Sequence, residues 1–239
     1  MRKLGWNNAA TLMDRWFAGG ANPNPRQGPI DVDTLKMASW ALTFPRAKTE
    51  YDGITTEKIW TTDRARAQLT QQLRNQGMLG QRKRPFGDLT LPAPKLERDY
   101  ITYGTVGAGV MNHLKDPLDD MFGALGAFSF RVAVAGEIDP IPLPKNPPVR
   151  FAAPPEWRIT VNQVGVYIWD SYDFNGDQTL GFWNMEKGEV SKVPGLDSSE
   201  VTNKSFRDWR QQSSKGCDFI VFSDVLVQSL SPPDSYVTR

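Results

Sequence analysis

The densest cluster of polar side chains lies at residues 170–177, where the sequence reads Asp-Ser-Tyr-Asp-Phe-Asn-Gly-Asp. Three carboxylates, an amide and a phenol fall within these eight residues, directly after the most apolar predicted strand. Crowded carboxylates raise one another's pKa or bind a divalent cation such as Mg²⁺. Either property suits hydrolysis of a phosphate ester, in which a metal ion offsets the charge of the phosphoryl group. The structural alternative is a hairpin turn, since Asp, Asn and Gly are common turn residues and Tyr172 and Phe174 would then serve packing.

Other candidates for chemistry lie outside this cluster. His113 is the single histidine and precedes a predicted helix, so it is either a catalytic group or a capping or surface residue. Arg207 and Arg210 lie three residues apart on a predicted short helix, and their shared face would contact an anionic ligand. The alternative for both arginines is pairing with acids such as Asp208 or Asp218.

The composition excludes several classes of site. One cysteine, Cys217, excludes an internal disulfide and a zinc site built from cysteines, and one histidine excludes a metal site built from several histidines. The net charge of +1 argues against a dedicated nucleic-acid binder. No apolar run reaches the ~18 residues of a membrane-spanning helix, and the first residues lack the apolar region of a signal peptide. We therefore expect no nucleic-acid partner, no transmembrane segment and no signal peptide.

Charge and residue type both change near residue 97. Residues 1–97 hold 15 basic and 9 acidic side chains and are rich in Ala, Gln, Arg and Leu. Residues 98–239 hold 13 basic and 18 acidic side chains and are rich in Val, Phe, Tyr, Gly and Pro. We predict an α+β fold, in which a helical N-terminal part (1–97) packs on a β-rich antiparallel C-terminal part (98–239) to form one compact unit.

Apolar periodicity predicts the elements that position these side chains. Helices are expected over residues 7–18, from about 33 to Pro45, and over 62–76, 116–125 and 203–212. Strands are expected over residues 128–138, 157–169, 179–183 and 218–228. The strand at 179–183 is expected to pair back on the strand at 157–169 across a turn at Asn175–Gly176.

Several segments resemble one uncharacterised bacterial family. They are LGWNNAATLMDRWF near the start, ASWALTF at 38–44, LGAFSFRVAVAGEI at 125–138, VGVYIWDSYDFNGDQTLGFWN at 164–184 and VTNKSFRDWRQQSSKGCDFIVFSDV at 201–225. Members of that family often accompany type VI secretion or polymorphic-toxin genes. The resemblance therefore implies a protein associated with secretion.

The cluster at 170–177 also resembles the Asp-x-Tyr-Asp signature of the colicin M family, whose members are lipid II phosphodiesterases that act in the periplasm. Asp170, Tyr172 and Asp173 match this signature at the end of a predicted strand. A His-Arg pair follows closely in that family, whereas this sequence continues Asp-Gln-Thr-Leu-Gly-Phe-Trp. His113 would replace the pair only if the fold brings it near.

These resemblances imply an antibacterial type VI effector, a hydrolase that acts on a cell-envelope phosphate ester such as lipid II. Asp173 would be the base or a metal ligand, Asp170 its partner, and Tyr172 an orienting or proton-donating group. His113 is a further catalytic candidate. The alternative is a non-enzymatic protein associated with secretion, either an adaptor or an immunity-type protein.

The same interpretation assigns the binding residues and partners. Arg207, Arg210 and Asn175 would contact the substrate, and Asp173 and Asp177 would hold a divalent cation. Secretion spike or adaptor components and a cognate immunity protein are the expected partners. The protein would be made in the bacterial cytoplasm and delivered to the envelope of a target cell.

Overall fold

The computed structural model describes residues 1–99, 102–107, 117–142 and 154–239, and of 98–99 and 102–107 it describes the backbone alone. The fold is α+β, with most of the helical residues in the N-terminal part, as predicted. The α-helices are α1 (Asn7–Ala18), α2 (Pro45–Thr56), α3 (Asp63–Asn75), α4 (Ala93–Asp99), α5 (Asp120–Leu125) and α6 (Asn203–Ser213). The strands are β1 (Ile30–Leu35), β2 (Arg84–Phe86), β3 (Thr102–Gly107), β4 (Ser129–Ile141), β5 (Glu156–Tyr172), β6 (Thr179–Asn184), β7 (Glu189–Ser191), β8 (Ser199–Thr202), β9 (Phe219–Ser223) and β10 (Leu226–Thr238).

The chain divides into two compact units, each drawn from three separate stretches of sequence. Unit 1 comprises Met1–Thr49, Gly107–Phe130 and Ile168–Asp224. Unit 2 comprises Glu50–Val106, Arg131–Tyr167 and Val225–Arg239. The compositional boundary at residue 97 therefore lies within unit 2, and the acidic cluster lies in unit 1.

Two sheets form the β part of unit 1. Strand β1 is parallel to β9, with Ile30 opposite Ile220, and the last residues of β5 are antiparallel to β9, with Trp169 opposite Phe222. Strand β6 is the centre of a separate antiparallel sheet and pairs with β7 on one side and β8 on the other. Helix α1 packs against α5.

In unit 2, β2 pairs antiparallel with β4, and β10 pairs antiparallel with β5. Strand β3 pairs with β4, which is also the neighbour of β5. Helix α3 begins after Thr62, whose side chain accepts a hydrogen bond from the amide of Ala65, and it buries Leu69 and Leu73. The helix predicted over residues 62–76 is confirmed.

Helices α1 and α6 also form where the apolar pattern predicts them. In α1, the spacing of Ala9, Leu12 and Trp16 puts all three on one buried face. In α6, Thr202 and Ser205 form a capping box, in which each side chain bonds the backbone amide of the other residue. Local sequence therefore determines the buried face of α1 and the start of α6.

The helix predicted between residue 33 and Pro45 is wrong. Residues 30–35 form strand β1, and α2 begins at Pro45 instead of ending there. Asp31 is fully buried in this strand, where it pairs with Arg15 at 2.8 Å and accepts a hydrogen bond of 3.0 Å from the amide of Thr34. Proline suits the first turn of a helix because its missing N–H has no helical partner there.

The predicted pairing of the strand at 179–183 with the long strand before it is also wrong. Strand β6 pairs with β7 and β8, whereas the end of β5 pairs with β9. Between β5 and β6, the buried Phe174 ring stacks on Phe206 of α6, with centroids 3.9 Å apart. This contact anchors the connection on α6, and β6 joins a different sheet.

Across the described part of the chain, every helix is too short or too polar to cross a membrane.

Candidate functional site

Unit 1 contains a cavity of about 500 Å³ beside the end of β5. Its wall is mainly apolar and comes from several elements. The contributors include Met13 and Phe17 of α1, Phe122 and Leu125 of α5, and Leu180 and Trp183 of β6. This size and lining are typical of a site for a small ligand.

The polar part of the cavity is the predicted acidic cluster. Asp170, Tyr172 and Asp173 all line the cavity, as does Asn175. Asp170 lies opposite Val221 in the pairing of β5 with β9, and Asp173 directly follows the strand. Residues two apart on a strand share a face, which puts Asp170 and Tyr172 on the same side of β5.

The two carboxylates of the cavity lie in different environments. Burial raises the pKa of Asp170 well above its usual value, and the nearby charge of Asp173 raises it further, against the opposing effect of the Ser171 amide. Asp173 accepts a hydrogen bond of 2.7 Å from Ser171 Oγ and one of 3.2 Å from the amide of Asn175. Such an unequal pair can hold a proton on Asp170 while Asp173 serves as an acceptor.

The phenol of Tyr172 is fixed by packing. Its ring stacks on Phe219, with centroids 5.0 Å apart, and its hydroxyl donates to the sulfur of Met13 at 3.8 Å. Burial raises the pKa of this phenol, so it stays protonated at neutral pH and can donate but not act as a base. A positioning or proton-donating role fits this environment.

Arg207 donates hydrogen bonds to the loop that carries the acidic cluster. Its guanidinium donates to the carbonyl oxygens of Phe174, at 2.7 Å, and of Gly176, and to Oδ1 of Asp177 at 3.1 Å. The Asp177 side chain is 93% exposed. The cavity lining does not include Arg207.

Arg210 lies in a different environment on the same helix. Its guanidinium donates to Oδ1 of the fully buried Asp218 and lies over the Trp16 ring, 5.2 Å from the centroid. The pairing with Asp218, which the sequence offered as an alternative, is therefore present. Substrate contact by Arg210 stays a prediction, as does contact by Asn175, whose carbonyl accepts a hydrogen bond of 2.5 Å from Asn203.

The predicted metal ligands have other partners in this structure. Asp173 accepts hydrogen bonds within its own turn, and Asp177 pairs with Arg207. In the part of the chain that the structure describes, no group of three or more His, Cys, Asp or Glu side chains is placed to hold a metal ion. His113, the remaining catalytic candidate, lies outside the described residues.

The sequence did not reveal the apolar wall of the cavity. Trp16 is fully buried in the core, whereas its neighbour Phe17 lines the cavity. Phe17 lies at the edge of the apolar face of α1, where a side chain can reach either the core or a cleft. This position of Phe17 is the feature of the sequence that could have indicated a cavity-lining residue.

Neither the curated proteins nor the solved structures include a match to this chain. A family profile, in contrast, covers nearly all of it. The chain belongs to DUF6402, a family of unknown function whose profile matches residues 1–199 and 196–237.

Proposed function

We propose that this protein is an antibacterial effector delivered by a type VI secretion system, and that its unit 1 hydrolyses a phosphate ester of the cell envelope. A lipid-linked precursor such as lipid II is the substrate class. The proposal rests on two carboxyl groups in different environments at the polar end of an apolar cavity. They are Asp170, whose pKa is raised by burial, and Asp173, which accepts hydrogen bonds within its own turn. The resemblance to secretion-associated and colicin M proteins supplies the biological setting.

The unequal pair supports acid–base hydrolysis. Asp173 would take a proton from a water molecule whose oxygen attacks the phosphorus atom. The bond from phosphorus to the leaving oxygen then breaks, and that oxygen takes the proton held by Asp170. Tyr172 would orient the pair from its fixed position beside β5.

The surroundings of the pair support a lipid-linked substrate. An apolar chain would occupy the wall formed by residues such as Phe17 and Phe122, while the phosphate remains at the rim. Arg207 is our choice for the phosphate contact because its partner Asp177 is exposed, and an exposed ion pair is weak enough to exchange. We do not assign the phosphate contact to Arg210, because its guanidinium forms an ion pair with Asp218.

Growth of a bacterium that expresses the chain with or without an export signal tests this proposal. We expect toxicity only in the exported form, and loss of toxicity in Asp170→Asn and Asp173→Asn. Asp197→Asn is the matched control, because Asp197 has a φ of +61°, which asparagine tolerates, and lies outside the cavity lining. Equal growth with every exported form would overturn the proposal, provided that circular dichroism shows a folded protein.

A non-enzymatic adaptor or immunity-type protein is the second candidate. It is favoured by the hydrogen bonds of Asp173 to Ser171 and Asn175, which also describe an ordinary turn. Capture of secretion spike components that survives in an Asp170→Asn/Asp173→Asn double variant would select this candidate, provided that the natural protein is non-toxic in every compartment. Toxicity of the exported natural protein that the double variant loses would select the effector.

A further inference from the structure

We propose that the mouth of the unit 1 cavity lies against the surface of a lipid bilayer, and that three exposed apolar side chains, Met185, Val193 and Leu196, enter that surface. We call these three side chains the apolar rim. The inference rests on the proposed function, because a lipid-linked substrate is held in a bilayer and reaches the cavity from there. It adds the surface on which the protein meets that substrate.

The apolar rim concentrates exposed apolar surface in a short stretch of the chain. The exposed fraction is 79% for Met185, 63% for Val193 and 93% for Leu196. In the described part of the chain, six large apolar side chains are exposed, and these three fall within twelve consecutive residues. Adjacent exposed apolar side chains are typical of a surface that binds a partner or a membrane.

The rim lies at one end of the sheet formed by β6, β7 and β8. Met185 directly follows β6, and it also lines the cavity. The connection from β7 to β8 carries the other two rim residues and ends at Ser199, which lies opposite Trp183, two residues before Met185. The same connection begins at Lys192, whose ammonium group lies 5.8 Å from the centroid of the Phe122 ring in the cavity wall. The rim is therefore continuous with the mouth of the cavity.

Leu196 is held at the tip of a tight turn. The amide of Ser198 donates to the carbonyl oxygen of Gly195 at 3.3 Å, and the amide of Gly195 donates to Oγ of Ser198 at 2.9 Å. Asp197, the other central residue of the turn, has a φ of +61°. Polar residues and glycine usually hold such turn positions. A leucine presented there by a hydrogen-bonded turn can enter an apolar medium without further ordering of its backbone.

The charges around the rim are balanced. Residues 185–198 hold two lysines and three acids, namely Lys187 and Lys192 against Glu186, Glu189 and Asp197. Lys3 adds a third positive charge, because its side chain lies beside Gly188 in the turn after β6. Met1, which carries the α-amino group, lines the cavity together with Asp173, so the cavity also holds both signs of charge. Balanced charges give no net attraction to anionic lipid, and apolar insertion therefore supplies the binding.

Flotation of the full chain with phosphatidylcholine vesicles tests the proposal, with vesicles that also contain phosphatidylglycerol as a comparison. We expect partition coefficients that agree within about twofold and change little with salt, because salt does not screen apolar burial. Met185→Ser/Leu196→Ser should lower the partition coefficient at least about tenfold. Val227→Thr/Val237→Thr is the matched control and should bind like the natural protein, because both valines are exposed but lie on β10 of unit 2.

Three results would overturn the proposal. One is binding that persists in Met185→Ser/Leu196→Ser, and another is binding that requires phosphatidylglycerol and disappears at high salt. The third is failure to bind either vesicle, including the case in which the rim joins two copies of the chain and the natural protein self-associates instead. If circular dichroism shows that the double variant is unfolded, Leu196→Ser alone replaces it, because it changes only the tip of a turn.

The outcome is distinguishable from that of the proposed hydrolysis. Asp170→Asn/Asp173→Asn should bind vesicles as the natural protein does, because these two residues are assigned to bond cleavage and the rim is intact. Vesicle binding by a protein that is not toxic would support the bilayer contact and refute the hydrolysis. Toxicity of an exported protein that binds neither vesicle would refute the bilayer contact alone.

Discussion

The indole Nε1 of Trp16 donates a hydrogen bond of 2.8 Å to Oδ1 of Asp218, a residue 202 positions later in the chain. Asp218 is fully buried, and Arg210 donates to the same oxygen. Burial raises the pKa of this carboxyl, while the hydrogen bond from Trp16 and the charge of Arg210 oppose that rise. A buried polar centre therefore joins α1, α6 and the start of β9, the elements that surround the acidic cluster.

Replacement of Asp218 tests the importance of this centre for stability. Asp218→Asn keeps the shape but leaves the buried guanidinium of Arg210 without a countercharge, and we expect a loss of about 3 kcal/mol in the free energy of unfolding. Urea titration followed by circular dichroism measures the loss. Asp208→Asn, which removes the exposed pair with Lys204, is the control and should change stability by less than about 0.5 kcal/mol. Equal stability of both variants would show that the centre contributes little.

Gly216 makes the approach to Trp16 possible. Its φ is +100°, and a Cβ atom there would lie 2.5 Å from the Trp16 ring. Gly216→Ala therefore combines backbone strain with a clash against a fully buried side chain, and we expect a loss of about 3 kcal/mol or more. Gly20→Ala is the matched control because a Cβ at Gly20 meets nothing within 4 Å. A similar loss of stability in both variants would contradict this explanation.

The features that the sequence predicts correctly are local. The positions and lengths of α1, α3 and α6 follow from residues within each segment, and the position of Asp170 at the end of a long apolar strand follows from its neighbours. Strand β1 could not be predicted in the same way. Its formation depends on pairing with β9, almost 190 residues later, where Ile30 lies opposite Ile220.

The cavity also depends on contacts between segments that are distant in sequence. The sequence brings Asp170, Tyr172 and Asp173 together because they are close in the chain. The wall of the cavity combines α1, α5 and β6, and no local pattern reveals that these segments meet. The single strand predicted at 218–228 is likewise two strands, since β9 ends at Ser223 and β10 begins at Leu226, and the two pair with different parts of β5.

The raised pKa of Asp170 predicts a pH dependence of stability. Between the unfolded pKa of about 3.9 and the higher folded value, the native state holds a proton that the unfolded state has lost. The free energy of unfolding therefore falls as pH rises through this window. Asp170→Asn removes the titration, so the stability of this variant relative to the natural protein should increase as pH rises from about 4.

Urea titrations of the two proteins at matched pH values from about 4 to 8 measure this difference. The titration of other groups largely cancels, because the two proteins share those groups. A difference that stays constant with pH would show that Asp170 has the same proton affinity in both states. A difference that decreases with rising pH would mean that the folded pKa is lowered.

The single cysteine provides a direct measure of opening in unit 1. Cys217 is 8% exposed and its sulfur accepts a contact of 3.7 Å from the side-chain amide of Asn22. A thiol in this position reacts with an aromatic disulfide reagent only when the surrounding segment opens, so labelling of the native protein should be slow. Gly216→Ala, which strains the adjacent residue, should accelerate labelling about 100-fold when opening and closing are fast relative to the chemical step. Gly20→Ala should label at the rate of the natural protein.

Two results would contradict this prediction. Complete labelling of the native protein as fast as in urea would show that the thiol is already accessible. Equal labelling rates for Gly216→Ala and Gly20→Ala would show that the contact between Gly216 and Trp16 does not hold this part of unit 1 closed.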